Sequence, residues 1–167
     1  KTEKPSSALK IMEETGILKI FIPELLEGRG SSQKDSRGYH IFDVLDHNYY
    51  ACDASPKEKP LVRLAALFHD IGKPKARTER FENGELIVNF YNHEVYSEEI
   101  SRKILQRLKF SNAETEKICN LIKNHMFNYE SSWTDATVRR FIIRVGKENL
   151  DDLIDLRLSD MGGKYNE

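Results

Sequence analysis

Cysteine is scarce in this sequence. Cys52 and Cys119 are the only two, and no CxxC spacing joins them. A thiolate-built structural zinc site and a disulfide-stapled scaffold are both disfavoured, and each cysteine reads as a small core residue in a reducing cytoplasm. Long apolar runs are missing as well. Nothing approaches the ~18 consecutive apolar residues of a membrane span, and no signal-like segment opens the chain, so no membrane partner is expected. Charge of one sign is also lacking: the formal net charge is −1, which leaves no global basic field to draw in nucleic acid. Any RNA or phosphate contact must come from a local patch. Internal repeats and low-complexity tracts are absent. There is no initiator Met, and the chain ends in a polar GGKYNE, so a fragment of a longer protein is expected.

What is present suits an ordinary globular domain: 167 residues, 39% hydrophobic and 32% charged, enough for one core with a small appendage. The most informative stretch is LVRLAALFHDIGK, residues 61–73. Leu61, Leu64, Ala65, Leu67 and Phe68 recur at the three- and four-residue spacing of one buried helical face. His69 and Asp70 continue that apolar side, one turn beyond Ala65 and Ala66. An ionised carboxylate buried without a partner is costly, and a bound cation removes the difficulty. Gly72 and Lys73 follow, which suits a tight turn out of the helix and a cation aimed back at the same place.

The rest of the chain reads as helices around this one. Pro5 starts a short helix carrying Leu9, Ile11 and Met12, which Gly16 ends. ILKIFIPELLEG, broken by Pro23, reads as two short helical pieces, and GRGSSQKDSRG as a polar loop. A helix is expected over 39–52, with His40, Val44, His47 and Ala51 on one stripe. Pro56 and Pro60 bracket the link into the central helix. Asn83-Gly84, between RF and LIVNF, suggests a small hairpin. Four further helices are expected: 92–108 with Val95, Ile100, Ile104 and Leu108; 113–126 with Ile118, Leu121 and Ile122; 134–145 with Val138, Phe141 and Ile142; and 148–161 with Leu150, Leu153, Ile154 and Leu156. Ser111 and Thr134 fit helix N-caps and Gly146 a stop. The class is all-α.

Where the five histidines fall carries the functional signal. His93 shares a face with Ile100, and His125 with Ile118 and Leu121. Asp160 lies seven residues after Leu153 and four after Leu156. His47, His69 with Asp70, His93, His125 and Asp160 thus each sit on the inner side of a different helix. One histidine on an apolar face is an ordinary core residue. Five helices with the same anomaly indicate a metal site built from facing helices. The N/O donor set suits Mg²⁺, Mn²⁺, Ni²⁺, Co²⁺ or Fe²⁺.

These residues fit the H…HD…D signature of the HD superfamily of metal-dependent phosphohydrolases: His47, then His69-Asp70 followed by IGK, then Asp160. The order TEKPSSALKIMEETGILKIFIPEL, YHIFDVLDHN, LAALFHDIGKP, FYNHEVYSEEI, LIKNHMF and LRLSD resembles the C-terminal region of bacterial CCA-adding tRNA nucleotidyltransferases and related poly(A) polymerases. The resemblance implies an HD-domain helical bundle over 31–167, preceded by a short helical appendage, 1–30, that ends an RNA-binding region. It implies one or two divalent ions: His47, His69, Asp70 and Asp160 around one, with Asp70 bridging to a second held by His93 and His125. The implied chemistry is hydrolysis of nucleotide or RNA-end phosphoesters, as a phosphatase, 2′-nucleotidase or 2′,3′-cyclic phosphodiesterase. The implied partner is tRNA, reached through the parent enzyme, and a homodimer is a further partner to consider. Gly30-Ser31 is not followed by the DxD strand that nucleotide addition needs, so this chain alone should not add nucleotides.

Lys73 could meet a phosphate oxygen or be a solvated residue after a helix end. His40 could touch substrate or simply sit in a first helical turn. Arg139, Arg140 and Arg144 could hold phosphate or form a solvated face, and Trp133 could stack a base or pack a loop. Two other readings stay open: a non-catalytic tRNA-binding or dimerising appendage with a structural metal site, and a stand-alone nucleotidase.

Overall fold

Pro60 fixes the first turn of the helix at the centre of the fold, where its missing N–H costs nothing. A computed structural model describes residues 2–33 and 42–164. In chain order the helices are α1 (Pro5–Glu14), α2 (Ile17–Phe21), α3 (Val44–Ala54), α4 (Pro60–Phe68), α5 (Lys73–Ala76), α6 (His93–Arg107), α7 (Asn112–Asn124), α8 (Asp135–Val145) and α9 (Leu150–Gly162). Short 3₁₀ turns at Pro23–Gly28 and Lys147–Asn149 precede the loop to α3 and α9 respectively. The protein is all-α, with one hairpin among the described residues, β1 (Arg77–Glu82) and β2 (Glu85–Phe90).

α4 packs against α3, α7 and α9. Its apolar stripe is wider than the periodicity suggests: Val62, Ala65, Ala66, Leu67 and Phe68 are all buried, and Leu61 and Leu64 partly so. Arg63 is buried too, and its guanidinium donates to the carbonyls of Thr2 and Ser55. The N-terminal helices join the same core through Leu18 and Leu25. Ser6 donates both its backbone N–H and its hydroxyl to Asp53 on α3.

Local chemistry explains most boundaries. Gly16 (φ 77°) ends α1 in the left-handed region where a Cβ is penalised. Ser111 and Glu114 form a reciprocal capping box on α7, Thr134 caps α8, and Gly146 (φ 86°) stops it. Asn83 (φ 53°) and Gly84 (φ 83°) give the hairpin two successive positive φ values, with Glu82 opposite Glu85 and Arg77 opposite Phe90.

Three expectations need correction. The described part of the 39–52 helix starts at Val44, because Asp43 takes extended backbone and its carboxylate accepts from Asp46 N–H. His40, with the rest of 34–41, lies outside the described residues. Val95 and Ile154, expected in the core, are 38% and 50% exposed. On α9 the inward line is Leu153, Leu156 and Asp160, and Ile154, about 100° from Leu153, faces away from it.

Candidate metal centre

Five helices deliver their chemistry at an end. His47 lies in the first turn of α3, and His69 just past the end of α4. His93 opens α6, His125 follows the last residue of α7, and Asp160 is near the end of α9. After Phe68 the helix tightens: Ile71 N–H reaches the Phe68 carbonyl at 3.1 Å, and Lys73 N–H reaches that of Asp70 at 2.9 Å. This turn carries His69 and Asp70 inward together. Gly72 has an ordinary φ of −84°, so left-handed backbone is not its reason for being there. A Cβ at Gly72 would lie 2.5 Å from Ser97 N and 2.7 Å from the His93 carbonyl oxygen. The turn and the first turn of α6 touch backbone to backbone, which only glycine allows.

All six residues come together. His47 Nε2 and His69 Nε2 are 3.2 Å apart, and both lie 3.3 Å from Asp70 Oδ2. Asp160 Oδ1 closes this group at 3.2 Å from His47 and 3.6 Å from His69. On the other side of the same carboxylate, His93 and His125 lie 3.1 and 3.6 Å from Asp70 Oδ1, with their Nε2 atoms 3.2 Å apart. Asp70 thus offers one oxygen to each pair of imidazoles, and every member is at least nine-tenths buried.

Each ring is oriented by the backbone. The Nδ1 atoms of His47, His69, His93 and His125 contact the carbonyls of Gly163, Ala66, Phe90 and Ile122 at 3.1, 2.7, 2.8 and 2.6 Å. Carbonyls only accept, so Nδ1 carries the hydrogen and Nε2 turns its lone pair inward. Four lone pairs and two carboxylates then converge with facing nitrogens 3.2 Å apart, an arrangement that repels itself unless a cation or a proton sits among them. The residues fit a divalent cation.

The electrostatics say the same. Burial alone would raise the Asp70 carboxyl, but the charges of His69 and Lys73, with the His125 and His47 rings against it, hold it well below the usual carboxylate range. Asp160 is likewise buried yet held far down by His47 and His69. Burial would lower His69, and the two carboxylates overcome it and push it up to about 10. A proton on His69 therefore serves as the local cation when no metal is bound. His125 moves the other way, lowered mainly by burial.

Lys73 is not a solvated lysine. It is 7% exposed, with Nζ 2.6 Å from both Asp70 Oδ2 and Gln33 Oε1, above the Phe90 ring. Arg139, Arg140 and Arg144 lie on the exposed side of α8; Arg139 faces Asp135 at 3.8 Å and Arg144 covers the Phe141 ring. Trp133 packs edge-on between Tyr129 and Phe141. Cys52 and Cys119 are buried away from the centre, their thiols pushed up by desolvation to about 12 and about 11. Sequence reasoning did not single out Gln33, Arg157 or Lys164. The last two were legible, since they stand three before and four after Asp160 and pair with it. Gln33 reaches the site from a loop that has no periodicity to read.

Helices that turn His and Asp inward around one point define a class, and residues 37–160 match the HD domain. The chain belongs to the HD domain family. It is 35% identical over 153 residues to the A-adding tRNA nucleotidyltransferase of Deinococcus radiodurans, covering 89% of this chain and 33% of that protein. It is 31% identical over 156 residues to the CC-adding tRNA nucleotidyltransferase of Thermus thermophilus, covering 91% and 34%. A bifunctional uridylyltransferase/uridylyl-removing enzyme of Azospirillum brasilense matches 94% of the chain and 18% of its own length at 26% identity. The chain spans about a third of the length of the two tRNA nucleotidyltransferases. No helix among the described residues is long and apolar enough to cross a membrane.

Proposed function

We propose that the chain is a metal-dependent phosphohydrolase domain acting on nucleotide or RNA-end phosphoesters, within a cytoplasmic parent related to CCA-adding tRNA nucleotidyltransferases or poly(A) polymerases. The observation that carries this reading is the shared carboxylate: Asp70 gives one oxygen to His47 and His69 and the other to His93 and His125. Such a pair of N/O half-sites would suit two divalent ions acting on one phosphoester. The name of the Azospirillum relative includes a uridylyl-removing activity, in keeping with hydrolysis on this fold.

In this reading His47, His69, Asp70 and Asp160 would hold one ion, and Asp70, His93 and His125 would hold another. Bound there, divalent cations would supply a nucleophile at neutral pH and charge to offset that developing on the phosphoryl oxygens. The protein's own groups do the rest. The backbone carbonyls keep each Nε2 aimed inward, so little reorganisation accompanies reaction. Lys73 fixes the Asp70 carboxylate and keeps one ammonium N–H for a phosphate oxygen. Tyr91 and Met126, more than half exposed beside the cavity over the centre, offer an apolar wall to a base. The first ~30 residues are read as the tail of the parent's RNA-binding region, and tRNA as its partner.

Hydrolysis of nucleoside 2′-, 3′- and 2′,3′-cyclic phosphates, with and without Mn²⁺, Mg²⁺, Ni²⁺ and Co²⁺, tests this directly. Metal-stimulated turnover that disappears in Asp70→Ala is expected. A second reading is favoured by the relatives' names, which describe nucleotide addition: the domain is a tRNA-binding or dimerising appendage with a structural metal. Stoichiometric metal with no turnover of any of these esters would select it.

A further inference from the structure

Lys73 faces inward, onto Asp70 and Gln33. Two other cations beside the centre do not. Arg157, on α9, and Lys164, just past its end, reach the same oxygen of Asp160, Nη1 at 3.0 Å and Nζ at 3.6 Å. That oxygen is Oδ2, whereas His47 and His69 contact Oδ1. Both cations line the cavity of about 510 Å³ that leads to Asp70, His93 and His125. Their side chains are 29% and 25% exposed, so solvent-borne ligands reach them. A guanidinium has five N–H donors, and among the described residues the Asp160 carboxylate is its one acceptor.

Charge matching points to an anion. The cavity is lined by three carboxylates, Asp70, Glu94 and Asp160, and three cations, Lys73, Arg157 and Lys164, so its wall is neutral. Any divalent ion held by Asp70 and Asp160 makes it positive, with the planar fork of Arg157 free to take two oxygens of one phosphate. We propose that Arg157 and Lys164 are the phosphate-binding edge of this site, gripping phosphoryl oxygens of the substrate while Asp160 holds both cations in place. This assignment rests on the phosphohydrolase reading above, and it adds two substrate-contacting residues, one on α9 and one just past its end, to the single cation expected from the HDIGK stretch.

The test is calorimetric titration of inorganic phosphate into the Mn²⁺-loaded protein, with Mn²⁺ affinity and thermal midpoint measured on the same samples. Arg157→Gln is expected to raise the phosphate Kd about tenfold or more, since charge-assisted hydrogen bonds are lost. Arg157→Lys should restore part of it, and adding Lys164→Gln should weaken binding further. Mn²⁺ affinity should stay equal or tighten, because a positive neighbour of Asp160 is gone. A phosphate Kd unchanged in Arg157→Gln, or absence of phosphate binding by the unmodified protein, overturns the assignment. So does a loss of phosphate binding that merely follows a loss of Mn²⁺, since that marks Arg157 as support for Asp160 alone. Failure of the function and of this assignment separate cleanly. Hydrolysis with an unaffected phosphate Kd sinks only the α9 edge, and a weakened phosphate Kd in a protein that turns over no phosphoester sinks only the hydrolase reading.

Discussion

The two halves of the centre are built from the same parts and are not equivalent. The inner half has two imidazoles and oxygens from two carboxylates, Asp70 Oδ2 and Asp160 Oδ1. The outer half has two imidazoles and a single oxygen, Asp70 Oδ1. Of the four imidazoles, His93 and His125 line the cavity and His47 and His69 do not. Fewer donors and a nearer cavity leave the outer half room for an oxygen from elsewhere. The inner half should therefore hold its ion more tightly, and the outer half should exchange its ion and share it with substrate.

The largest expected effect comes from removing what the halves share. Asp70→Ala should lower metal-stimulated hydrolysis by about a thousandfold or more, the rate equivalent of several kcal/mol of charge stabilisation, with helicity retained by circular dichroism. Unequal loss comes next. His47→Gln should weaken the inner ion by more than about 100-fold, and His93→Gln should remove only the more weakly held equivalent. Metal content after gel filtration checks this. Equal losses in the two variants would show that the halves act as one unit.

Backbone contacts allow a finer distinction. A Cβ at Gly72 meets Ser97 N and the His93 carbonyl, at the outer half, whereas one at Gly163 would lie 2.7 Å from Ala51 N on α3. The Gly163 carbonyl is also the acceptor that orients His47. Each glycine-to-alanine change should cost about 1–3 kcal/mol in chemical denaturation, the usual cost of overpacking. Gly72→Ala should mainly weaken the outer ion and Gly163→Ala the inner one.

How much of this was legible in the sequence divides along the same physical lines. Periodicity placed the helices, because burying one stripe is what a 3.6-residue repeat does. Ser111, Thr134, Gly146 and Asn83-Gly84 announced boundaries through chemistry that acts within a few residues. Inward-facing His and Asp residues were visible as violations of the same periodicity. Contacts made at a distance were not. Gly72 looked like a turn glycine because its spatial neighbours, Ser97 and the His93 carbonyl, are more than 20 residues away in sequence. For Lys73 the inward and the solvated readings both stayed open, because nothing local announces Gln33, 40 residues earlier. α4 looked one-sided, since a one-sequence reading cannot tell how many neighbours cover a helix. The division of the six donors into unequal halves came from the family resemblance, because spacing alone does not say which carboxylate oxygen faces which ring.

The smallest effect is a proton count, and it separates the halves without any mutation. His69, in the inner half, is pushed up to about 10 by Asp70 and Asp160 against the opposing effect of burial, so it carries a proton at pH 7 in the metal-free protein. For the metal-free fold the sign is that of a raised histidine. Its contribution to stability is fully present below the unfolded value near ~6.5 and is lost as pH rises through about 10. A cation entering the inner half must expel that proton, so inner affinity should climb with pH across this window. His125, in the outer half, is lowered, chiefly by burial, and has no such proton to give up at pH 7. Titrating Mn²⁺ at pH 7 in buffers of different ionisation enthalpy should show about one more proton released with the first, tighter ion than with the second. Equal release for both ions would mean that the proton is shared across Asp70, and the contrast between a closed inner half and an open outer half would fall with it.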